Sequence, residues 1–248
     1  ANLRINEYHD ATFSAIINIG KKILYDLDKF FYKIEHQPEI QLSVIKAAEI
    51  IGGEDAVKIL HTKINYPNKI IGNRVIEALS NLDYQVKRND LSALSVKLEE
   101  DIENYVYIAA CLNDFYEIGE DEDIIRAVSH EKIDKKDKIF TVLSILYDKK
   151  AIQLIRENLE SRDADSRGFA LEIADMVVSE LHKELLFPVF ENLSNIEIIN
   201  KYKYIFPQEN LSVKDRLIDI VNSENSVTGI YTKTLAINML RQFDSEDI

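Results

Sequence analysis

The residues that come nearest to a metal site are Asp163, Asp165 and Gly168, which begin like a calcium loop with carboxylates at its first and third positions and glycine at its sixth. Such a loop also needs an oxygen at the fifth position and a bidentate glutamate at the twelfth. Those positions hold Arg167 and Ala174, so the two aspartates are expected to end one helix and cap the next. The histidines His9, His36, His61, His130 and His182 are scattered. None forms the helical His pair with an intervening Glu that a zinc hydrolase uses, and solvated helix positions are expected for them. Cys111 sits inside the apolar run Val106–Leu112 with no patterned His or Asn partner. Apolar surroundings raise a thiol's pKa, so it reads as a buried structural thiol rather than a nucleophile. Gly52-Gly53 opens a helix, but Glu54 and Asp55 would repel a phosphate there. The runs Glu99-Glu100-Asp101 and Glu120 to Asp123 read as solvated faces. No catalytic residue, metal ligand or cofactor-binding residue is assigned, and no cofactor is expected.

Two basic islands interrupt this acidic chain. Lys132, Lys135, Lys136 and Lys138 cluster at what reads as a repeat boundary. Lys201-Tyr202-Lys203-Tyr204 precede Pro207 and combine cation with aromatic. One reading of the second island is an irregular repeat whose tyrosines pack while its lysines reach water. The other is a small basic and aromatic contact site, and Lys201, Tyr202, Lys203 and Tyr204 are the candidate interaction residues.

The overall balance limits the partners. The 43 acidic and 30 basic residues give a net charge of -13, which opposes broad binding to nucleic acid or anionic lipid. One cysteine excludes an intrachain disulfide framework. No apolar stretch is long enough to cross a bilayer, and Ala1-Asn2-Leu3-Arg4 does not begin a signal peptide. A cytoplasmic setting is therefore expected, and the acceptor-like triplets at Asn192 and Asn210 carry little meaning. The missing initial Met suggests a piece of a longer protein.

The elements that must position these residues show a rhythm: apolar, apolar, any, apolar, apolar, any, any, apolar. It begins at Val44, Val75, Ile108, Ile139, Ala170 and Ala236. A single copy arises by chance in about 2% of frames at this apolar content; the nearly constant spacing carries the weight. A fixed period of 31 to 33 residues suits stacked helical hairpins, each burying its apolar face against its neighbours. One copy is missing near residue 203. The expected architecture is all-α, a right-handed α-solenoid of two-helix repeats forming one domain over 1–248. Residues 1–37 would be an N-terminal capping helix and 195–210 an irregular repeat. Pro38 should start a helix that Gly52-Gly53 ends. Pro67-Asn68 should separate repeats, and Ser212 to Asp215 should form a capping box. The stretch from Asp90 to Phe115 could be two helices or one.

The junction Ile50-Ile51-Gly52-Gly53-Glu54-Asp55-Ala56-Val57-Lys58-Ile59-Leu60 resembles the turn of HEAT-like repeats, particularly those of bilin-lyase-like proteins. Ser166-Arg167-Gly168-Phe169-Ala170-Leu171-Glu172-Ile173, with Leu185-Leu186-Phe187-Pro188, is similar to the HEAT region attached to bacterial ATP/ADP nucleotide-transporter-like membrane proteins. That resemblance implies a soluble cytoplasmic domain linked covalently to a transporter-like membrane domain. No nucleotide-binding residue carries over, because the transport segment is absent from these residues.

The expected function is a non-enzymatic scaffold that binds a protein partner through the second helices of successive repeats. The alternative is an enzyme on the same repeats, either bilin-lyase-like or a DNA glycosylase. The glycosylase needs a basic groove that the charge of -13 and the absence of Trp oppose.

Overall fold

The structure is a computed structural model that describes residues 6–116, 122–161 and 163–246. The acidic link from Glu117 lies outside the described residues as far as Asp121. The described residues form helices and no strand, as the lack of period-two alternation implies.

The chain packs as two compact units, residues 1–93 with 144–149 and residues 94–143 with 150–248. The three breaks between them, at 93/94, 143/144 and 149/150, fall inside helices, so no Gly- or Pro-rich linker marks them.

The first unit opens with α1 (Asn6–Ile19), a 3-10 turn (Gly20–Ile23) and α2 (Leu24–Lys33). The expected continuous capping helix is thus broken, because Gly20 adopts φ +66°, a conformation that ends a right-handed helix. Next come α3 (Pro38–Ile51), α4 (Gly53–His61) and α5 (Lys69–Asn81). Their boundaries follow local chemistry. Pro38 occupies the first turn of α3, and Gly52 ends it at φ +65°. The Asn68 side chain accepts from the backbone of Ile70 and Ile71 to cap α5. The rhythm marks the faces in contact: Val44, Ile45, Ala47 and Ala48 on α3 and Val75, Ile76, Ala78 and Leu79 on α5 are all buried. The two helices pack directly, and the alanines allow close approach.

The second unit is built around α6 (Leu91–Asp114) and α7 (Asp123–Leu146). Each is one continuous helix, so residues 69–146 hold one helix per period where the two-helix repeat requires two. No glycine or proline interrupts Leu91–Asp114 or Asp123–Leu146, so nothing forces a turn. Then follow α8 (Lys149–Leu159), α9 (Ala164–Val177), α10 (Glu180–Phe190), α11 (Asn195–Tyr202), α12 (Val213–Asn222) and α13 (Ile230–Glu246). Asp163 caps α9 by accepting from the Ser166 backbone at 2.9 Å, as expected for the failed calcium loop. Ser212 caps α12 by accepting from Asp215.

A nearest-neighbour stack would pair residues about one period apart. Here Ile108, Cys111 and Phe115 of α6 and Ile124 and Val128 of α7 share one core with Leu217, Ile220 and Ala236. The later helices return to the α6–α7 pair. Ser95 meets His182 of α10, Lys132 meets Asn195 of α11, and Phe140 stacks on Phe190 at 5.8 Å.

Candidate functional site

The basic and aromatic island at residues 201–204 is divided by its helix. α11 begins with a capping box in which the Ser194 backbone donates to Glu197 at 2.8 Å. The helix ends at Tyr202, whose carbonyl accepts from the backbone of Ile205 and Phe206. Tyr202 faces inward, 1% exposed, with its hydroxyl donating to the Leu185 carbonyl and its ring 5.9 Å from Phe206. Burial raises its pKa, so it is an anchor rather than a contact residue. Tyr204 is 87% exposed and Ile205 42% exposed. The Lys203 ammonium lies 4.7 Å from the Tyr204 ring centroid, a cation–π pair at the surface. Lys201 is exposed and 3.8 Å from Glu191. The structure therefore places Lys201, Lys203 and Tyr204 together at the surface, adds Ile205, and removes Tyr202 to the core.

The irregular stretch after this turn has a structural cause. No helix forms between Lys203 and Ser212; the segment is tied down by a buried ion pair. Arg216 Nε donates to Asp114 Oδ2 at 2.8 Å, and another Arg216 nitrogen donates to the Glu209 carbonyl at 2.8 Å. Asp114 also accepts from the Leu211 backbone at 3.2 Å. Both ionic side chains are almost wholly buried. The Arg216 guanidinium stands 5.5 Å from the Tyr107 ring, and Tyr107 donates to Asp219. Cys111 lies in this cluster, fully buried, and burial pushes its thiol up to about 12. It is the structural thiol its apolar neighbours imply.

The lysine cluster lies in the middle of α7, not at a repeat boundary, and turns inward because packed helices surround α7. Lys135 is 2% exposed, donates to the Ser226 carbonyl at 2.9 Å and stands 3.6 Å from Glu131. Lys132 donates to Asn195 Oδ1 at 2.6 Å and lies over the Tyr105 ring. Burial lowers both ammonium groups to about 8, and it lowers Lys136 as well. Glu131 completes the arrangement by accepting from the Gly229 backbone at 2.6 Å and from Thr232 at 3.0 Å.

Other residues with chemical potential are also satisfied internally. His182 is buried instead of solvated, 3.0 Å from the Ser95 hydroxyl, and burial lowers its pKa. His61 and the Tyr84 hydroxyl both meet Asp90 Oδ2, at 2.8 and 2.6 Å. This fastens α4 to the loop before α6, without a nucleophile in the set. His36 and His130 are exposed as expected. Asp101 departs from the solvated reading of its acidic run: it is buried and accepts from Lys97 at 2.5 Å. Among the described residues no group of three or more His, Cys, Asp or Glu could hold a metal ion, and no helix is long and apolar enough to cross a membrane.

The Ser194–Glu197 capping box was readable as S-x-x-E, and the inward Asp114 and Arg216 were visible as charges beside apolar stripes. Their pairing across 102 residues was not. No protein-family model, no curated protein and no solved structure matches this chain.

Proposed function

We propose that this chain is a non-enzymatic helical-repeat scaffold whose contact site for a protein partner is Lys203, Tyr204 and Ile205, with Lys201 at its edge. The observation that carries this reading is the exposed Tyr204 and Ile205 directly after a buried Tyr202. Tyrosine beside a cation is a composition enriched at interface hot spots, and the Tyr202 anchor limits the ordering that binding would require. The repeats are read as HEAT-like and stacked as a right-handed solenoid where they follow each other closely. Support for this comes from the direct packing of α3 on α5, which carry consecutive copies of the rhythm. Attachment to a transporter-like membrane domain rests on the resemblance at residues 166–173 and 185–188, and the full reading frame would test it.

The contact site is tested by placing a photo-crosslinking residue at Tyr204 or, as a control, at the exposed Tyr25 of α2. The expected result is a discrete adduct from position 204 that disappears with Lys203→Glu. Equal, diffuse labelling from both positions would overturn the assignment.

A further inference from the structure

Exposed apolar side chains gather on α9 and α10 of the second unit, set between carboxylates. Asp165, Phe169, Glu172 and Met176 recur at i, i+4, i+7 and i+11 on α9, so acid and apolar alternate along one stripe. Leu181 follows in the first turn of α10, with Glu184 three residues on along the same face. Phe169 is 49% exposed, Met176 76% and Leu181 74%. The two helices pack together, joined by the Lys183 ammonium at 2.7 Å from Asp175. That ammonium is also 2.7 Å from Glu180, so two carboxylates already share its charge. Arg167 donates to the Ser161 carbonyl. Asp165, Glu172 and Glu184 are exposed and have no ion-pair partner among the described residues. The face therefore carries a net negative charge that nothing on it neutralises.

We infer that this face docks a basic amphipathic helix of a partner protein, with its apolar side chains on Phe169, Met176 and Leu181 and its lysines or arginines on Asp165, Glu172 and Glu184. The spacing suits a helix. Phe169 and Met176 are two turns apart, about 10 Å at the helical rise, the repeat at which a partner helix presents its i and i+7 side chains. Met176 has three rotatable bonds with which to fit them. Single exposed apolar residues are ordinary, but three on one face rimmed by charge mark a contact surface. The carboxylates that attract a basic helix also repel nucleic acid, anionic lipid and acidic peptides. This partner class rests on the scaffold reading and occupies a surface other than Tyr204.

The test uses the full chain and fluorescein-labelled peptides read by fluorescence anisotropy. The probe is Leu-Lys-Lys-Leu-Leu-Lys-Lys-Leu-Leu-Lys-Lys-Leu; one control replaces every Leu by Ser and the other every Lys by Glu. The probe is expected to bind with a Kd of roughly 10 to 100 μM, in the range of transient contacts, and neither control should bind. Binding should fall at least about tenfold with Glu172→Lys/Glu184→Lys, and as much with Met176→Ser/Leu181→Ser. All four positions are exposed, so the helix signal and melting temperature should be unchanged. Glu35→Lys/Glu77→Lys alters the net charge equally at exposed positions of the first unit and should change binding by less than about twofold. Tyr204→Ser should leave peptide binding intact, so loss of the Tyr204 crosslink with retained peptide binding would break only the first site. No binding up to about 1 mM, equal binding of the Ser control, or an equal loss from Glu35→Lys/Glu77→Lys would each overturn the inference.

Discussion

Lys63 in the first unit and Arg216 in the second are both buried cations, yet their partners lie at very different distances along the chain. Lys63 donates to Asp28, 35 residues away, and to the Ile59 carbonyl one turn before it. Arg216 pairs with Asp114, 102 residues away. The side chain of Asp28 is 31% exposed, while that of Asp114 is 2% exposed. The first unit therefore uses a buried charge to lock neighbouring helices whose carboxylate can still reach water. The second uses one to close a long loop, with neither partner able to return to solvent. The same contrast runs through the apolar core: α3 packs on α5 one period later, whereas α6 and α7 pack with residues from α12 and α13.

The largest expected effect follows from the buried pair. Arg216→Met should cost the second unit about 3 to 5 kcal/mol, because Asp114 is left charged and unpaired. Hydrogen exchange should show the loss at 207–222 and α6, with α3 and α5 protected as before. The double variant Asp114→Leu/Arg216→Met should recover part of this loss. If the double variant is no better than the single, desolvation is not the dominant cost. Lys63→Met should cost less, about 1 to 3 kcal/mol, since Asp28 can hydrate. A larger loss from Lys63→Met than from Arg216→Met in urea denaturation would reverse the comparison.

A pH series sharpens it further. Lys132 and Lys135 titrate near 8 when folded and near 10.5 when unfolded. Between these values the unfolded chain binds more protons, so stability should rise with pH, by on the order of 1 to 3 kcal/mol. Cys111 opposes this from about pH 9 upward, because its folded pKa of about 12 makes the folded state retain a proton that the unfolded state loses. Tyr105, Tyr107 and Tyr202, all raised by burial, oppose it above about pH 10. Two lysines outweigh one cysteine until the tyrosines join, so the second unit should be most stable between about pH 9 and 10, and Lys132→Met should flatten the approach to that maximum. The smallest effect is local: Ser194→Ala should remove about 1 kcal/mol through loss of the α11 cap. That would appear as faster exchange at Ile196 and Glu197 without change in the first unit.

What the sequence made readable was whatever depends on a few adjacent residues. Pro38, Gly52, Asn68, Asp163 and Ser212 set helix ends where their chemistry implies, and the apolar rhythm marks residues that are buried in its copies on α3 and α5. The break at Gly20 and the capping box at Ser194 also rest on local signals, a glycine between two apolar stretches and a serine three residues before a glutamate. What could not be read was direction. Lys132, Lys135 and Asp101 look like solvated charges until helices from distant sequence surround them. The missing repeat near residue 203 reads either as packing or as a contact site, and nothing local shows that Arg216 and Asp114 pin the strap that follows it. The continuity of α6 was undecided because its polar middle, Glu99 to Asn104, suits either a helix or a link.

The core shared by α6, α7, α12 and α13 has a consequence for how the chain is made. Synthesis runs from the amino end at roughly 5 to 20 residues per second. The apolar face of Ile108, Cys111, Phe115 and Val128 must therefore wait roughly 5 to 20 seconds for Ala236 to leave the ribosome. During that interval the face is a sticky surface that a chaperone would be expected to cover. Ribosome-bound chains halted before α12 should be captured through it, while chains extended past α13 should be released.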